Sequence, residues 1–290
     1  MHPTLQGLLA DTPVLTDGAW GTQLQLRGLP TGACPDAWNL DQPALVEQVA
    51  AAYVDAGSRI ILTNTFGANR FTLARYGCAE KVAEINRAGV EISRRAAAGR
   101  AMVFASMGPS GKMLMMGDVS EDELREAFAE QARAMAEAGA DGIVVETMSD
   151  PAEAKLAVAA SKETGLPVVA CMVFDSGPAK DRTMMGATVE RAAEALCQAG
   201  ADVVGSNCGR GIAGFVDLCR RTKAAVDRPV WIKGNAGLPE IEDGKTVYRQ
   251  TPEEFAAYMP QLVDAGASFL GGCCGTTPDF IRAAAKALSN

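Results

Sequence analysis

Short runs of apolar, mostly β-branched residues alternate along this chain with longer segments in which apolar residues recur at helical spacing. The short runs are typical of strands, and the longer periodic segments are typical of amphipathic helices. Because the strand-like runs are apolar at nearly every position, we expect helices to cover both faces of the sheet. The predicted strands are Pro13–Thr16, Arg59–Thr63, Ala101–Ala105, Gly142–Val145, Val168–Val173, Asp202–Gly205, Pro229–Ile232 and Ser268–Leu270. The predicted helices are Pro43–Ala56, Ala79–Ala98, Glu121–Ala138, Pro151–Thr164, Thr188–Ala199, Ile212–Val226, Pro252–Ala265 and Pro278–Leu288.

Several predicted helices end in an Ala-Gly pair that stands directly before a strand-like run. The glycines are Gly57, Gly139, Gly200 and Gly266, and a helix C-terminus favours glycine because the chain adopts a left-handed conformation there. Repeated β/α units with such short turns predict an α/β fold, a single (β/α)8 TIM barrel spanning residues 1–290. A doubly wound open sheet is the alternative, but no Gly-x-Gly-x-x-Gly turn opens the first helix.

Polar and glycine-rich segments follow the predicted strands, where barrel enzymes carry their functional residues. Cysteines follow two of the strands: Cys208 follows the sixth, and Cys273 and Cys274 follow the eighth. Because neighbouring strands lie only about 4.8 Å apart, a barrel brings these cysteines to one rim. The other segments at this rim are Asp17–Thr22, Asn64–Gly67, Ser106–Pro109, Glu146-Thr147, Asp175 and Lys233–Asn235.

Three thiolates at one rim would make a metal site, and soft sulfur ligands favour zinc. The only histidine is His2, at a terminus that we expect to be frayed, so imidazole ligands are not expected. On a regular strand Cys273 and Cys274 would point to opposite faces, but the adjoining Gly271-Gly272 and Gly275 allow a bend. Three protein ligands leave a fourth position open, which is typical of catalytic zinc. The remaining cysteines are interpreted as packing or loop residues: Cys34, Cys78, Cys171, Cys197 and Cys219.

Composition excludes several other classes of function. The formal net charge is −8 and Lys and Arg are not clustered, so nucleic acid is not an expected partner. The first residues lack the basic and apolar regions of a signal peptide, and no apolar stretch approaches the roughly 18 residues of a membrane span. We therefore expect a cytoplasmic protein with reduced thiols rather than a disulfide framework.

Five motifs recur in order from about Asp11 to Leu288, and they are Asp17–Thr22, Leu62–Gly67, Val145–Thr147, Gly205–Cys208 and Gly271–Thr276. With these motifs the chain resembles the zinc-dependent homocysteine S-methyltransferase family, which includes betaine–homocysteine methyltransferase and the homocysteine-binding module of cobalamin-dependent methionine synthase. The Gly-Gly-Cys-Cys-Gly-Thr element with its upstream Asn-Cys is the most specific part. The resemblance implies an enzyme that methylates the thiol of homocysteine to give methionine.

The resemblance also implies particular roles for residues at the rim. Cys208, Cys273 and Cys274 would bind Zn²⁺ and the substrate thiol would take the fourth position, while Asp17 and Glu146 would bind the substrate. Both acids suit an ammonium group, although helix capping or turn formation is the alternative for each. Backbone N–H groups after the first strand suit a carboxylate, and the family has an asparagine near the metal after the seventh strand. The residues expected to bind substrate are Asp17, Gly18, Ala19, Gly21, Glu146, Asn235 and Trp38.

The methyl donor stays open at this point. A betaine or sulfonium donor carries a cation that an aromatic face stabilises, and Trp38, Trp20 and Tyr248 are available. Gly67 stands where animal betaine enzymes have an aromatic residue, and we expect the protein to lack their long C-terminal extension. We also expect no cobalamin-binding domain fused to the barrel, so a methylcorrinoid donor would have to arrive on a partner protein.

Two other functions and two mobile segments are also considered. Lys233, after the seventh strand, could form a Schiff base as in aldolase-like barrels. Alternatively, the three cysteines could be a zinc-storage or redox-sensing cluster without turnover. The segments 111–118 and 175–186 are candidate lids over the barrel mouth.

Overall fold

The computed structural model describes residues 2–242 and 245–289, and its central feature is a barrel of eight parallel strands. The barrel strands are β1 (Val14–Leu15), β2 (Ile60–Ile61), β3 (Met102–Met107), β4 (Gly142–Met148), β5 (Val168–Met172), β6 (Val203–Gly211), β7 (Val230–Asn235) and β10 (Ala267–Gly272). Two further strands, β8 (Glu240–Glu242) and β9 (Lys245–Val247), form a separate hairpin. The barrel runs β1-β10-β7-β6-β5-β4-β3-β2, and a parallel bridge from Thr16 to Ile60 joins its two ends. The predicted (β/α)8 barrel is therefore confirmed.

Helices surround the barrel in the predicted alternation. They are α1 (Pro3–Leu9), α2 (Trp20–Leu26), α3 (Trp38–Asp41), α4 (Pro43–Asp55), α5 (Arg70–Ala74), α6 (Val82–Ala97), α7 (Glu121–Glu137), α8 (Pro151–Lys162), α9 (Val189–Gln198), α10 (Phe215–Ala225), α11 (Pro252–Ala256), α12 (Met259–Asp264) and α13 (Pro278–Leu288). Short 3₁₀ turns occupy Ala79–Lys81, Leu114–Met116 and Ile212–Gly214. Within the described ranges, no helix is long and apolar enough to cross a bilayer.

Alternate strand residues point to two different cores. Val144 of β4 faces the barrel interior, whereas its neighbours Ile143 and Val145 pack under the helices. In β7, Trp231 is the inward residue and its ring centroid lies 5.2 Å from that of Phe269 in β10. This two-residue alternation is the geometry of a strand buried on both faces.

The N-terminal segment is ordered, so the expectation of a frayed terminus at His2 is wrong. The His2 side chain accepts a hydrogen bond from the backbone N–H of Thr4 (3.3 Å) and caps α1. Leu5 and Leu8 of this helix are buried in the same cluster as the inward-facing barrel residues. Helix α1 therefore closes the N-terminal end of the barrel, and the functional residues gather at the opposite end.

The prediction of a single helix over Pro252–Ala265 is wrong, because this segment forms two helices, α11 and α12. Pro260 explains the break: it has no backbone N–H, and its ring would clash with the carbonyl four residues earlier in a continuous helix. The short β8–β9 hairpin, which follows β7, was also not predicted.

Candidate metal and substrate site

Three cysteine sulfurs converge at the C-terminal end of the barrel. The Sγ atoms of Cys208, Cys273 and Cys274 all lie within 4.8 Å of one another, and those of Cys208 and Cys274 are 3.7 Å apart. Tetrahedral zinc with Zn–S bonds of about 2.3 Å separates its sulfur ligands by about 3.8 Å. The three sulfurs therefore fit a tetrahedral metal centre with one position left for another ligand.

The backbone of β6 bends sharply to present Cys208. This residue has φ +62°, followed by Gly209 with φ +77°, and the pairing of β6 with β7 shifts register between Asn207 and Gly211. A non-glycine residue in the left-handed region costs about 1–3 kcal/mol and persists where the surroundings impose it. Such strain is typical of functional sites, and here it places the Cys208 thiol beside those of Cys273 and Cys274.

Glycines shape the second cysteine segment, as the sequence predicted. Gly275 has φ +80°, and a Cβ there would stand 2.2 Å from the ring of Tyr248. A Cβ on Gly272 would stand 2.3 Å from Oγ1 of Thr276. Both positions therefore require glycine, and the resulting turn places two consecutive cysteines beside Cys208. Tyr248 packs on this turn and is not part of the cavity wall.

Two buried asparagines fasten the cysteine segments. The Oδ1 of Asn235 accepts a hydrogen bond from the backbone N–H of Cys274 (3.1 Å). Asn207 donates to Oγ1 of Thr147 (2.7 Å) and to Oε2 of Glu146 (3.3 Å). Asn235 was predicted at the site, whereas Asn207 was seen only as part of a motif. The position of Asn207 directly before Cys208 was the sequence feature that could have identified Asn207 as a site residue.

Ionisation of one of the three thiols disfavours ionisation of the other two. Hydrogen bonds from the thiols of Cys273 and Cys274 lower the pKa of Cys208 to about 3. The same interaction with Cys208 raises the pKa of Cys274 to about 11 and that of Cys273 well above its ordinary value. A divalent cation provides the charge that allows all three to become thiolates.

Glu146 lies within β4, directly before Thr147 with φ +61°, and lines the cavity together with the three cysteines. Its side chain is only 7% exposed, and Oε1 accepts a hydrogen bond from Oγ of Ser106 (2.6 Å). Burial raises the pKa of Glu146, and the nearby Lys233 partly opposes the shift. A buried carboxyl group beside a metal site is suited to the ammonium group of a ligand.

Asp17 forms an internal ion pair that the sequence did not predict. Its Oδ1 lies 2.5 Å from Nζ of Lys233, and both side chains are almost fully buried. The other oxygen, Oδ2, accepts hydrogen bonds from Nε1 of Trp20 and the backbone N–H of Leu62, each 2.7 Å long. Asp17 is not among the residues that line the cavity. Its carboxylate instead holds Lys233, Trp20 and the backbone of Leu62 in place.

The ion pair also bears on the Schiff-base alternative. Burial alone would lower the pKa of Lys233, but the carboxylates of Asp17 and Glu146 outweigh it, and the net shift is upward. Schiff-base chemistry requires the neutral amine. The structure therefore does not support Lys233 as a nucleophile.

A cavity of about 660 Å³ extends from the three cysteines to the barrel mouth. Glu146, Trp20 and the Gly18–Gly21 segment line the cavity together with the cysteines. Phe66 and Tyr76 are 43% and 42% exposed and therefore mark its outer part, and Asp36 joins them there through its hydrogen bond with Gly67, which follows Phe66. Trp38 packs against the hydrophobic core and does not line the cavity. The segments 111–118 and 175–186 follow β3 and β5 at the same end of the barrel, and their role as lids stays a prediction.

Asp36 is an unexpected acid in the outer wall. It is 4% exposed, and its Oδ1 accepts a hydrogen bond from the backbone N–H of Gly67 (3.0 Å). Its Oδ2 lies 4.0 Å from Sγ of Cys34. Burial raises the pKa of Asp36 to about 7.

Replacing Asp36 by Asn is expected to stabilise the protein, and more at pH 8 than at pH 5. Because the pKa of Asp36 is raised from 3.8 to about 7 in the fold, its ionisation destabilises the native state increasingly from pH 4 to pH 7. Each pKa unit corresponds to about 1.4 kcal/mol, so the gain should be about 2.5 kcal/mol larger at pH 8 than at pH 5. Urea unfolding of both proteins at the two pH values measures this. An equal gain at both would show that Asp36 titrates normally.

The fold and site define a (β/α)8 barrel in which three cysteine sulfurs, close enough to share a metal ion, meet beside an acid-lined cavity. The chain belongs to the homocysteine S-methyltransferase family, whose model matches residues 14–288, and the resemblance seen in the motifs is confirmed. It is 32% identical to the methionine synthases of Mycobacterium leprae (strain TN) and Mycobacterium tuberculosis (strain ATCC 25618 / H37Rv). These alignments cover 97% and 99% of this chain but 25% of each relative, so the chain spans about a quarter of their length.

Solved structures agree with the barrel architecture. The metallated form of the Escherichia coli homocysteine methyltransferase MmuM superimposes with a TM-score of 0.82 at 22% identity, covering 98% of this chain and 99% of that one. The oxidized form of the same protein gives a TM-score of 0.82 at 23% identity, covering 99% and 100%. At this identity the likeness establishes a shared fold along the whole chain.

Proposed function

We propose that this protein is a zinc-dependent methyltransferase that converts homocysteine to methionine. The observation that carries the proposal is the convergence of the Cys208, Cys273 and Cys274 sulfurs within 4.8 Å at the inner end of a cavity, in a chain of the homocysteine S-methyltransferase family. The donor is a betaine or sulfonium compound, or a methylcorrinoid on a partner protein.

The donor set suits zinc. Thiolates are soft ligands that zinc accepts readily, and three protein ligands leave the fourth tetrahedral position for another sulfur. When bound, zinc supplies a template that holds a fourth sulfur as its thiolate. The zinc-storage alternative has no use for the adjoining acid-lined cavity, which is of a size suited to small molecules.

Positioning contributes more to the rate than acidification of the thiol does. A free thiol has a pKa of about 8.5, so complete deprotonation at pH 7 gains about thirtyfold, or about 2 kcal/mol. Holding an aligned sulfur and methyl carbon together can supply about 7–11 kcal/mol. The main contribution of this chain is therefore a cavity that fixes both reactants.

The amino-acid end of homocysteine has complementary groups on the cavity wall. Glu146 is the proposed partner of the ammonium group. Gly18 and Gly21 are the proposed carboxylate contacts, whereas the N–H of Ala19 already donates to Oγ1 of Thr276 (3.2 Å). Asp17 is assigned a supporting role, because Lys233, Trp20 and Leu62 occupy its oxygens.

The proposed reaction is a direct displacement at the methyl carbon. The thiol proton leaves to solvent before transfer, and a lone pair of the sulfur forms the new S–C bond. The bond between the methyl carbon and its donor atom breaks, and that electron pair stays with the leaving group. A cationic donor thereby becomes neutral, and the products are methionine, the demethylated donor and one proton.

Replacing Glu146 by Gln is expected to weaken homocysteine binding about tenfold or more while zinc is retained. The change removes the charge that pairs with the substrate ammonium but keeps a hydrogen-bond partner for Ser106, and charged hydrogen bonds contribute about 1.5–3 kcal/mol. The measurement is the homocysteine KM together with the zinc content.

Glu153→Gln is the matched control for this prediction. Glu153 is also buried, and it accepts hydrogen bonds from the backbone N–H and Oγ of Ser110 (2.7 and 2.6 Å), but it does not line the cavity. Its substitution should leave the homocysteine KM unchanged. An unaltered KM in the Glu146 variant would remove Glu146 from the substrate site.

Two experiments test the proposed function together. Zinc-edge X-ray absorption of the zinc-loaded protein should show a fourth sulfur when homocysteine is added. Methionine formation is then assayed with betaine, S-methylmethionine, dimethylsulfoniopropionate, S-adenosylmethionine or methylcobalamin. If the sulfur count stays at three and no donor supports turnover, the proposal is refuted and the cluster is a storage or redox site.

A further inference from the structure

We propose that Asp36 binds the cationic centre of a small onium methyl donor, a sulfonium or quaternary ammonium compound, in the outer part of the cavity. This inference rests on the proposed methyl transfer to homocysteine and specifies which donor the site accepts. It assigns a role to a buried acid that the homocysteine end of the site does not use.

The surroundings of Asp36 leave its charge uncompensated. No Lys or Arg in the described ranges forms an ion pair with it, although 96% of its surface is covered. Its carboxylate accepts hydrogen bonds from the backbone N–H groups of Gly67 (3.0 Å) and of Asp36 itself, and the thiol of Cys34 is 4.0 Å away. A buried carboxylate with so little compensation favours a bound cation.

The position of the carboxylate is fixed by the absence of a side chain at residue 67. A Cβ on Gly67 would stand 2.8 Å from Oδ2 of Asp36 and 3.3 Å from Cγ2 of Thr72. Asp36, Gly67 and Thr72 all line the cavity. The carboxylate therefore occupies the space that a larger residue 67 would take.

Aromatic side chains that line the same cavity as Asp36 suit a methylated cation. Phe66 and Tyr76 line the same outer part of the cavity and are 43% and 42% exposed. Onium methyl groups cannot donate conventional hydrogen bonds, so such cations are recognised by aromatic faces and by charge. The carboxylate of Asp36 and the rings of Phe66 and Tyr76, which line one cavity, provide both.

The anionic end of such a donor also has a partner. Arg75 lines the cavity and donates one hydrogen bond to the carbonyl of Gly111 (2.8 Å). A guanidinium group has five N–H donors, so others are available to a carboxylate. At about 660 Å³, the cavity is within the range of about 300–1,000 Å³ that holds drug-sized ligands, which is enough for homocysteine and a small zwitterion.

Asp36 should act on donor binding rather than on the chemical step. The donor is cationic before transfer and neutral afterwards, so the attraction to the carboxylate weakens as the methyl group leaves. An interaction that is stronger in the ground state than in the transition state does not accelerate the reaction. The attraction to Asp36 does make the donor bind more tightly than the demethylated product, and it therefore promotes replacement of the product by a new donor molecule.

The test is calorimetric binding to zinc-loaded protein with matched probe pairs. Betaine is compared with its carbon isostere 3,3-dimethylbutanoate, and dimethylsulfoniopropionate with 4-methylpentanoate. We expect at least one cation to bind about tenfold or more tightly than its isostere, and Asp36→Asn to abolish that preference. Asp41→Asn removes the same charge from an exposed position in α3 and should leave the preference intact.

The outcomes separate this inference from the proposed function. Absence of binding by both cations, equal binding of cation and isostere, or an unchanged preference in Asp36→Asn would overturn it. Recruitment of the homocysteine sulfur to zinc is measured separately by X-ray absorption, and it does not depend on Asp36. If a cationic donor supports turnover, Asp36→Asn should raise its KM about tenfold without lowering kcat, and should leave the homocysteine KM unchanged.

Discussion

Replacement of Cys273 by Ala is expected to remove stoichiometric zinc and to lower methionine formation at least about a thousandfold. The remaining two sulfurs, on Cys208 and Cys274, cannot complete a three-cysteine centre. The expected loss is large because positioning of the reacting atoms supplies about 7–11 kcal/mol of catalysis. Zinc content by elemental analysis and methionine formation under saturating substrates are the measurements. The same result is expected for Cys208→Ala and Cys274→Ala.

Cys197→Ala is the matched control, because Cys197 is a half-buried thiol of α9 that packs against the core. This variant should keep both zinc and activity. The fold should survive in the site variants as well, since their cysteines lie at the barrel rim and contribute little to the core. A variant that retains one zinc per protein and normal turnover would show that the substituted cysteine is not a ligand.

The second large effect concerns the buried ion pair beneath the site. Lys233→Met is expected to destabilise the protein by about 3–5 kcal/mol, because it leaves the carboxylate of Asp17 buried without its cation. Asp17 is fully buried, so solvent cannot replace the lost partner. The free energy of unfolding from urea titration measures the effect.

The double variant Asp17→Asn, Lys233→Met should recover most of this loss. It removes both charges, and neutral replacement of a buried pair is often tolerated. Asn at position 17 retains a side-chain oxygen for the donors on Trp20 and Leu62. If the double variant is as unstable as Lys233→Met, unpaired charge is not the cause and packing around the lysine stem is.

Much of the candidate site followed from the sequence because its elements are local. Strand ends are recognisable where an apolar run stops, and a barrel places all strand ends of one polarity at one rim. Cys208, Cys273 and Cys274 could therefore be predicted to meet, and glycines at 272 and 275 to bend the chain. The family was recognisable from the same motifs.

Other features depend on contacts between distant segments. Asp17 was expected to bind the substrate, but its carboxylate pairs with Lys233, which is 216 positions away along the chain. No local sequence pattern shows which acidic residue pairs with a buried lysine. Trp38 was expected to line the cavity, but Asp36, two residues earlier, lines it instead. The turn before α3 decides which of the two points inward, and a helix of four residues has too little periodicity to show it.

The sequence by itself determined the barrel, the family and which three cysteines meet at the rim, because periodicity, helix-ending glycines and strand-end cysteines act over short stretches of chain. Only the tertiary structure decided how the acids of the site are used. Asp17 is neutralised by Lys233, Glu146 faces the cavity beside Ser106, and Asp36 is buried without a cation. Charge and solvation depend on every group packed around a carboxylate, and that set is known only when the chain has folded.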